Sequence, residues 1–234
     1  MPAEPPAVGA AAAHVRATLD GVFATVTRVR DATARCLADV HRAGRAPVSA
    51  DLAALRPLLL ARLGPLVCGL GFIAAPQLLA DAAWYMEWWQ TGPAGRPSQL
   101  LRDLDPERSA LYDYTRWEWF TGPESGAERT VCGPYVDYLC SDEYVLTLSA
   151  PVHVAGAFAG VAAADVYART FENEVVPALR EIPAPALVVN APGRVMASNT
   201  ASWPPGAVYR ESPGHAARPC GDGVDCVALG AGPW

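Results

Sequence analysis

The stretch "GPYVDYLCSDEY" (residues 133–144) and the run after it, "VLTLSAPVHVAGAFAGVAAADV" (145–166), decide both the fold and the site. The first stretch places three tyrosines and three acidic residues in twelve positions, and the second is almost entirely apolar. The apolar run predicts two strands, at 143–151 and 156–165, with a hairpin turn at "HVAG" (153–156). A polar and aromatic segment beside hydrophobic strands is typical of a catalytic centre, a metal site or a small-molecule pocket.

The chain upstream of this hairpin predicts more of the same antiparallel sheet. Strands are predicted in "LVCGLGFIA" (66–74), in "AAWYMEWWQ" (82–90) and at 129–138. A short helix is predicted from the Asp105-Pro106 pair to Tyr112.

The chain downstream predicts a helix and a second hairpin. The helix is predicted in "ADVYARTFENEVVPALREI" (164–182), with Pro177 kinking or ending it. "ALVVN" and "RVMASN" predict the hairpin, joined across "APG". The remainder, from "ASWPPG" at residue 201 onward, is rich in Pro and Gly and predicts irregular structure.

The N-terminal region predicts two helices. The first has apolar or near-apolar residues alternately four and three positions apart, at Val15, Leu19, Val22, Val26, Val29, Thr33, Cys36 and Val40. This heptad spacing favours a long helix that packs on another helix, including its own copy in a homodimer, or an amphipathic helix that lies on its own domain. Ser49 is a plausible N-cap of a second helix that carries Leu52, Leu55, Leu59 and Leu63 and is closed by Gly64 and Pro65.

The predicted architecture is therefore α+β, with long helices packed on a curved antiparallel sheet. We expect three parts: a helical region over 1–65, a sheet domain over 66–199 and an irregular tail over 200–234.

Composition excludes several classes of partner. The 234 residues are 51% hydrophobic and 18% charged, so the chain can bury a core, and the net charge of −6 argues against nucleic acid. Residues 63–80 carry no charge over eighteen positions, yet their glycines and prolines favour a buried strand with a turn over a membrane helix.

The N-terminus shows no secretory signal pattern, and the six cysteines are scattered. We expect a cytoplasmic protein with reduced thiols that contacts no membrane.

A pocket for a cation is indicated by the residues that surround the opening stretch. Five of the seven tryptophans lie between residues 84 and 119, and here aromatic residues alternate with acidic ones. Aromatic faces beside a carboxylate bind cations through cation–π attraction and an ion pair. Along strand 156–165, small side chains share one face with Asp165, which leaves volume around that carboxylate. The alternative is that Asp165 only caps the helix that follows it.

Four motifs in order resemble Cache-type sensor domains, also called PDC domains. They are "DYTRWEWF" (113–120), "GPYVDYL" (133–139), "YVLTLSAPV" (144–152) and "GAFAGVAAADV" (156–166). The resemblance covers roughly residues 66–199 and extends to soluble, stand-alone Cache proteins of high-GC bacteria. It implies a PAS-like sheet, no enzymatic activity, no cofactor and the binding of a small molecule.

The resemblance also implies roles for individual residues. In amine- and amino-acid-sensing members, the residue that corresponds to Asp165 binds the ammonium of the ligand. The residue that corresponds to Tyr135 contacts the same group, and the one that corresponds to Trp119 lines the pocket. We further expect Tyr114 to enclose the ligand and Asp137 to point inward with Tyr135. The arginine that grips a carboxylate is one step out of register here, at Arg116, with Trp117 in its place. The sequence leaves open which amine binds and whether a carboxylate is recognised.

Three other functions compete with a sensor. An enzyme is disfavoured because no histidine lies beside a serine or cysteine in a nucleophile motif. A metal site could use His215, Cys220 and Cys226, although their spacing lacks a paired C-x-x-C and we expect none. A dimeric scaffold without a ligand is consistent with the heptad spacing. A sensor of this length would need a separate regulator or signalling partner.

Overall fold

The computed structural model describes residues 6–92, 95–100, 113–137, 143–210 and 214–229. Its helices and antiparallel sheets form an α+β fold, as predicted. The helices are α1 (Pro6–Arg42), α2 (Ser49–Leu52), α3 (Arg56–Leu60), α4 (Glu118–Glu124) and α5 (Ala168–Arg180). The strands are β1 (Gly69–Ala74), β2 (Met86–Thr91), β3 (Pro97–Gln99), β4 (Thr130–Val136), β5 (Tyr144–Val154), β6 (Ala157–Tyr167), β7 (Ala186–Val189), β8 (Val195–Ser198), β9 (Ala216–Gly221) and β10 (Val224–Ala228).

Two sheets organise these strands. The larger has the order β3-β2-β1-β6-β5-β4, and the smaller has the order β8-β7-β10-β9. The hairpin predicted from the opening stretch is confirmed, because β5 and β6 turn at Ala155 and Gly156. Both of these residues have a positive φ, as the tight turn of a hairpin requires.

The chain divides into two compact units that interleave along the sequence. One consists of Val22–Thr130 and Leu148–Asp165, and the other of Met1–Gly21, Val131–Thr147 and Val166–Trp234. The three-part division expected from the sequence stays a prediction.

Helix α1 confirms the long N-terminal helix and corrects the use of its heptad positions. Val15, Val26 and Val29 have no exposed surface in the single chain, and the remaining seam residues are buried except Cys36, which is partly exposed. The seam is therefore already covered, as expected of an amphipathic helix on its own domain, and its use as a dimer interface is wrong. A homodimer stays a prediction, and it would need other residues.

The second predicted helix is present in shorter pieces. Helix α2, a 3-10 turn at Ala53–Leu55 and helix α3 follow each other, and they bury Leu52, Leu55 and Leu59. Ser49 is the first helical residue rather than the cap, and it binds Asp81 through its backbone N–H and its hydroxyl. The helix predicted from Asp105 to Tyr112 lies outside the described residues.

Helix α5 differs from its prediction at both ends. Strand β6 continues to Tyr167, so the helix begins four residues later than predicted, at Ala168. It also runs through Pro177 to Arg180. Phe171, Val175 and Leu179 are buried along one face, and this packing holds the last turn although proline removes one backbone hydrogen bond.

The irregular tail predicted from residue 200 is wrong, because β9 and β10 form a hairpin there. The turn between them is Asp222-Gly223, with φ of +53° and +73°. Asp-Gly is the preferred pair for a two-residue hairpin turn, in which both residues need a positive φ. None of the described helices is both long enough and apolar enough to cross a membrane.

Candidate ligand-binding site

One face of the larger sheet carries Asp165 among very small side chains. Asp165 on β6 is paired with Gly69 on β1, and Ala163 with Gly71. Directly paired residues of antiparallel strands project to the same face, so these four residues form one surface around the half-buried Asp165. The alternation predicted along β6 is thus confirmed.

Asp165 is not the N-cap residue of the helix that follows it. The N-cap position of α5 is Tyr167, whose side chain makes no capping hydrogen bond. Asp165 lies two residues before it, on β6, and the alternative that its carboxylate serves the helix stays a prediction.

Trp88 on β2 fills the surface beside Asp165. Trp88 is paired with Gly71, and its Cε3 atom lies 2.8 Å from the position that a Cβ on Gly71 would take. The other edge of the indole reaches Gly69, where Cζ2 lies 2.9 Å and Nε1 3.2 Å from the corresponding position. The Cβ of Asp165 is 3.3 Å from that same position. The indole therefore lies across the two glycines of β1 and ends beside Asp165.

The opposite face of β2 carries Glu87, a buried carboxylate that is paired within the fold. Glu87 has no exposed surface, and its two oxygens accept hydrogen bonds from the Arg56 guanidinium at 3.0 and 3.3 Å. They also accept from the Tyr85 hydroxyl at 2.7 Å and from the Trp89 indole N–H at 2.8 Å. Four donors thus compensate the buried charge, and Glu87 is bound within the fold.

Tyr114 lies in the packed core rather than on an open surface. It has no exposed surface, and its hydroxyl donates to the backbone oxygen of Ala74 at 2.8 Å and accepts from the backbone N–H of Tyr85. Burial raises the pKa of Tyr114 to about 12. This arrangement favours a role in positioning the chain that leads into α4, and the predicted contact between Tyr114 and a ligand stays a prediction.

Trp119 is placed by a hydrogen bond between α4 and β5. The Ser149 hydroxyl donates to the Trp119 backbone oxygen at 2.6 Å, and both residues are buried. The indole packs edge-on against Phe120, with ring centroids 6.2 Å apart. Its predicted contact with a ligand also stays a prediction.

Arg116 lies on the surface. Its side chain is 85% exposed, and its Nε atom lies 2.7 Å from a carboxylate oxygen of Asp113. Hydrogen bonds from Thr115 lower the pKa of Asp113, so the partner of Arg116 is firmly ionised. An exposed, paired guanidinium is poorly suited to grip the carboxylate of a buried ligand.

Tyr135 and Asp137 end strand β4 in the other unit. The Tyr135 hydroxyl is 2.6 Å from the hydroxyl of Thr147, and both Tyr135 and Asp137 are half-buried. The backbone N–H of Asp137 donates to Glu143 at 2.9 Å. Residues 138–142, which include Cys140, lie outside the described part, and the ligand contacts of Tyr135 and Asp137 stay predictions.

The cysteines and histidines that suggested other chemistry are held in the fold. Cys68, Cys132, Cys220 and Cys226 are buried and form no disulfide, and burial raises the pKa of Cys220 to about 12. His215 lies 2.7 Å from the Tyr209 hydroxyl through its Nδ1. The expected absences of a metal and of catalysis stay predictions.

A separate cavity of about 260 Å³ lies at the other end of β6. It is lined by Leu37, His41, Arg45, Pro47, Leu78, Val154, Ala155, Ala157, Phe158 and Ala159. This lining offers no carboxylate to a cation, and the Arg45 guanidinium is already bound to both oxygens of Asp51. The surface around Asp165 is chemically the better candidate.

Comparison with known proteins shows a similarity to one family of sensor domains. Residues 98–173 match the model of the first PDC sensor domain of methyl-accepting chemotaxis protein-like proteins. No curated protein sequence matches the chain significantly.

Solved ligand-binding domains of chemoreceptors share the fold. PctB of Pseudomonas aeruginosa, in complex with L-Arg, is 15% identical, with a TM-score of 0.60 over 97% of this chain and 93% of that one. PctC of the same organism, in complex with GABA, is 20% identical, with 0.56 over 94% and 95%. CtaA of Pseudomonas fluorescens, in complex with L-valine, is 13% identical, with 0.59 over 97% and 96%.

The resemblance to Cache-type sensors is thereby confirmed. The chain has the fold of PDC ligand-binding domains, and residues 98–173 match the model of a PDC sensor domain.

The sequence predicts that Asp165 shares a face with small residues, but it does not single out Trp88 beside it. Trp88 is one of five tryptophans between residues 84 and 119, and the signal that sets it apart is "GLG" (69–71). Two glycines separated by one residue leave a bare patch on one face of a strand, which a large side chain from the next strand can cover.

Proposed function

We propose that this sensor-type domain binds a small cationic amine, with the ammonium group at Asp165. The observation that carries the proposal is the half-buried Asp165 carboxylate, which shares its face with Gly69, Gly71, Ala163, Gln90 and the Trp88 indole. A carboxylate in a partly desolvated position favours a cation over an anion.

The solved relatives support a ligand with an amino group. They are complexes with L-Arg, GABA and L-valine, each of which carries an ammonium and a carboxylate. In this chain the position expected to grip the carboxylate holds Trp117, and Arg116 is exposed and paired with Asp113. An amine is therefore a better fit than an amino acid.

The remaining parts of the proposal concern context. We infer a sensor without enzymatic activity, because the matching family is one of sensor domains. A cytoplasmic location, a homodimer and a separate signalling partner belong to the same proposal, and each is open to a direct test.

A thermal-shift panel tests the proposal. Purified protein is heated with primary amines, amino acids and simple carboxylates at matched concentrations, and a ligand that binds only the folded state raises the Tm. Amines are expected to give the largest shifts and carboxylates none. A shift with carboxylates alone would overturn the proposal, and the absence of any shift across the panel would favour a scaffold without a ligand.

A further inference from the structure

Trp88 places a hydrogen-bond donor next to Asp165. Its Nε1 atom and the Cβ of Asp165 lie 3.2 and 3.3 Å from one common point above Gly69. The two atoms are therefore at most about 6.5 Å apart, the sum of those distances. A single small molecule can meet both groups.

Trp88 is only 4% exposed as a whole, and its indole N–H makes no hydrogen bond in the described part of the chain. The nitrogen is not one of the fully buried unpaired polar atoms of that part, so it touches solvent. Trp89, its neighbour on the opposite face, donates the same group to Glu87 at 2.8 Å. An indole N–H that the protein leaves unpaired bonds water or a bound molecule, because an unpaired donor is unfavourable.

The edge of an indole ring is positive, whereas its face is negative. The edge that lies beside Asp165 is therefore unsuited to a cation and suited to an acceptor. Around Gly69 the surface presents the Asp165 carboxylate as an acceptor and the Trp88 N–H as a donor, and Gln90, which is paired with Gly69, lies on the same face. Its complement is a molecule with a cationic N–H donor and a nearby oxygen.

We propose that Trp88 is a specificity-determining residue whose indole N–H donates to a neutral oxygen of the ligand, so that the ligand is an amino alcohol or an amino amide. This inference rests on the proposed function, in which Asp165 binds the ammonium. A neutral oxygen fits better than a carboxylate, because one uncharged N–H compensates little of the cost of burying a full negative charge. The arrangement would distinguish such ligands from plain alkylamines.

Two ligands that differ only at the oxygen test the proposal. In 2-amino-1-propanol a hydroxyl takes the place of the terminal methyl of 2-aminobutane, and both are titrated by calorimetry into the wild-type protein. The amino alcohol is expected to bind about three- to tenfold more tightly, the worth of one uncharged hydrogen bond. Equal affinities would overturn the inference.

Variants assign the preference to Trp88. Trp88→Phe keeps an aromatic ring and removes the N–H, and its preference for the amino alcohol should fall to less than about twofold. Trp89→Phe is the matched control, because its indole lies on the opposite face and is bound to Glu87, and it should keep the preference. If Trp88→Phe does not fold, Gly69→Ala inserts a methyl group at the point shared by the indole and Asp165 and should also abolish the preference.

The outcomes separate this inference from the proposed function. If both amines bind the wild type but Asp165→Asn binds them equally well, the ammonium site itself is wrong. If Asp165→Asn loses both ligands while Trp88→Phe keeps the preference, only the role of Trp88 is refuted.

Discussion

Replacing Arg56 with methionine should destabilise the protein strongly, because it leaves the Glu87 carboxylate buried without its cationic partner. Glu87 has no exposed surface, and its remaining donors would be the Tyr85 hydroxyl and the Trp89 N–H. Removing one partner of a buried ion pair costs about 3–5 kcal/mol. Because the Arg56 side chain is 43% exposed, we expect the lower end of that range, about 3 kcal/mol.

Glu87→Gln keeps the size of the side chain and removes the charge. It should cost about 2 kcal/mol, because the hydrogen bonds from Arg56, Tyr85 and Trp89 lose the strength that the carboxylate gives them. Once the charge is gone, Arg56 has little left to compensate. The double variant should therefore cost about 2–3 kcal/mol, well below the sum of the two single changes.

Urea unfolding at pH 7, followed by tryptophan fluorescence, measures these free energies. Arg45→Met is the control, because Arg45 is half exposed and its pair with Asp51 lies at the surface, where a salt bridge contributes less than about 1 kcal/mol. Additive costs in the double variant would refute the reasoning, since the two side chains would then act independently.

Three further changes probe other parts of the fold. Val22→Asp should prevent stable folding rather than produce soluble monomers, because Val22 is 2% exposed within the single chain; sedimentation showing a folded monomer would restore the seam as a dimer interface. Gly223→Ala should lower the unfolding free energy by about 1–2 kcal/mol, since φ is +73° there; an unchanged urea midpoint would contradict the turn geometry. The hydrogen bond from Arg45 lowers the pKa of Asp51 to about 2, below its ordinary 3.8. The small contribution of the ionised Asp51 to stability is therefore complete above about pH 4, and it is lost as the pH falls toward 2. Asp51→Asn should remove that pH dependence in acid titrations of stability, and an identical acid profile would argue against the pair.

The sequence predicted those helices and strands whose residue pattern is visible within the segment itself. The alternation of small and apolar residues predicted β5 and β6, and the heptad spacing predicted α1. Asp222-Gly223 also carried a hairpin signal, which the surrounding prolines and glycines obscured. The continuation of α5 past Pro177 could not be read locally, because buried contacts of Phe171, Val175 and Leu179 decide it.

In the candidate site, the sequence could predict the surroundings of a residue only where its neighbours lie on the same strand. The face that Asp165 shares with small residues was predictable because those neighbours lie on β6 itself. The position of Trp88 depends on which strand pairs with which, and no periodicity within β2 reveals that its indole crosses β1 to reach Asp165. The same limit applies to Arg56 and Glu87, which lie 31 positions apart in the chain and meet only in the folded protein.

The most direct test of the central claim is a calorimetric titration of the best amine from the thermal-shift panel into wild type and Asp165→Asn. The variant keeps the shape of the side chain and removes its charge. A charge-assisted hydrogen bond to a partly buried carboxylate is worth about 1.5–3 kcal/mol, so the account predicts binding weakened about tenfold to a hundredfold. Arg116→Gln serves as the control and should bind normally, because Arg116 is exposed and paired with Asp113. Unchanged affinity in Asp165→Asn, with a loss in Arg116→Gln, would contradict the ammonium site and point to recognition of a carboxylate instead.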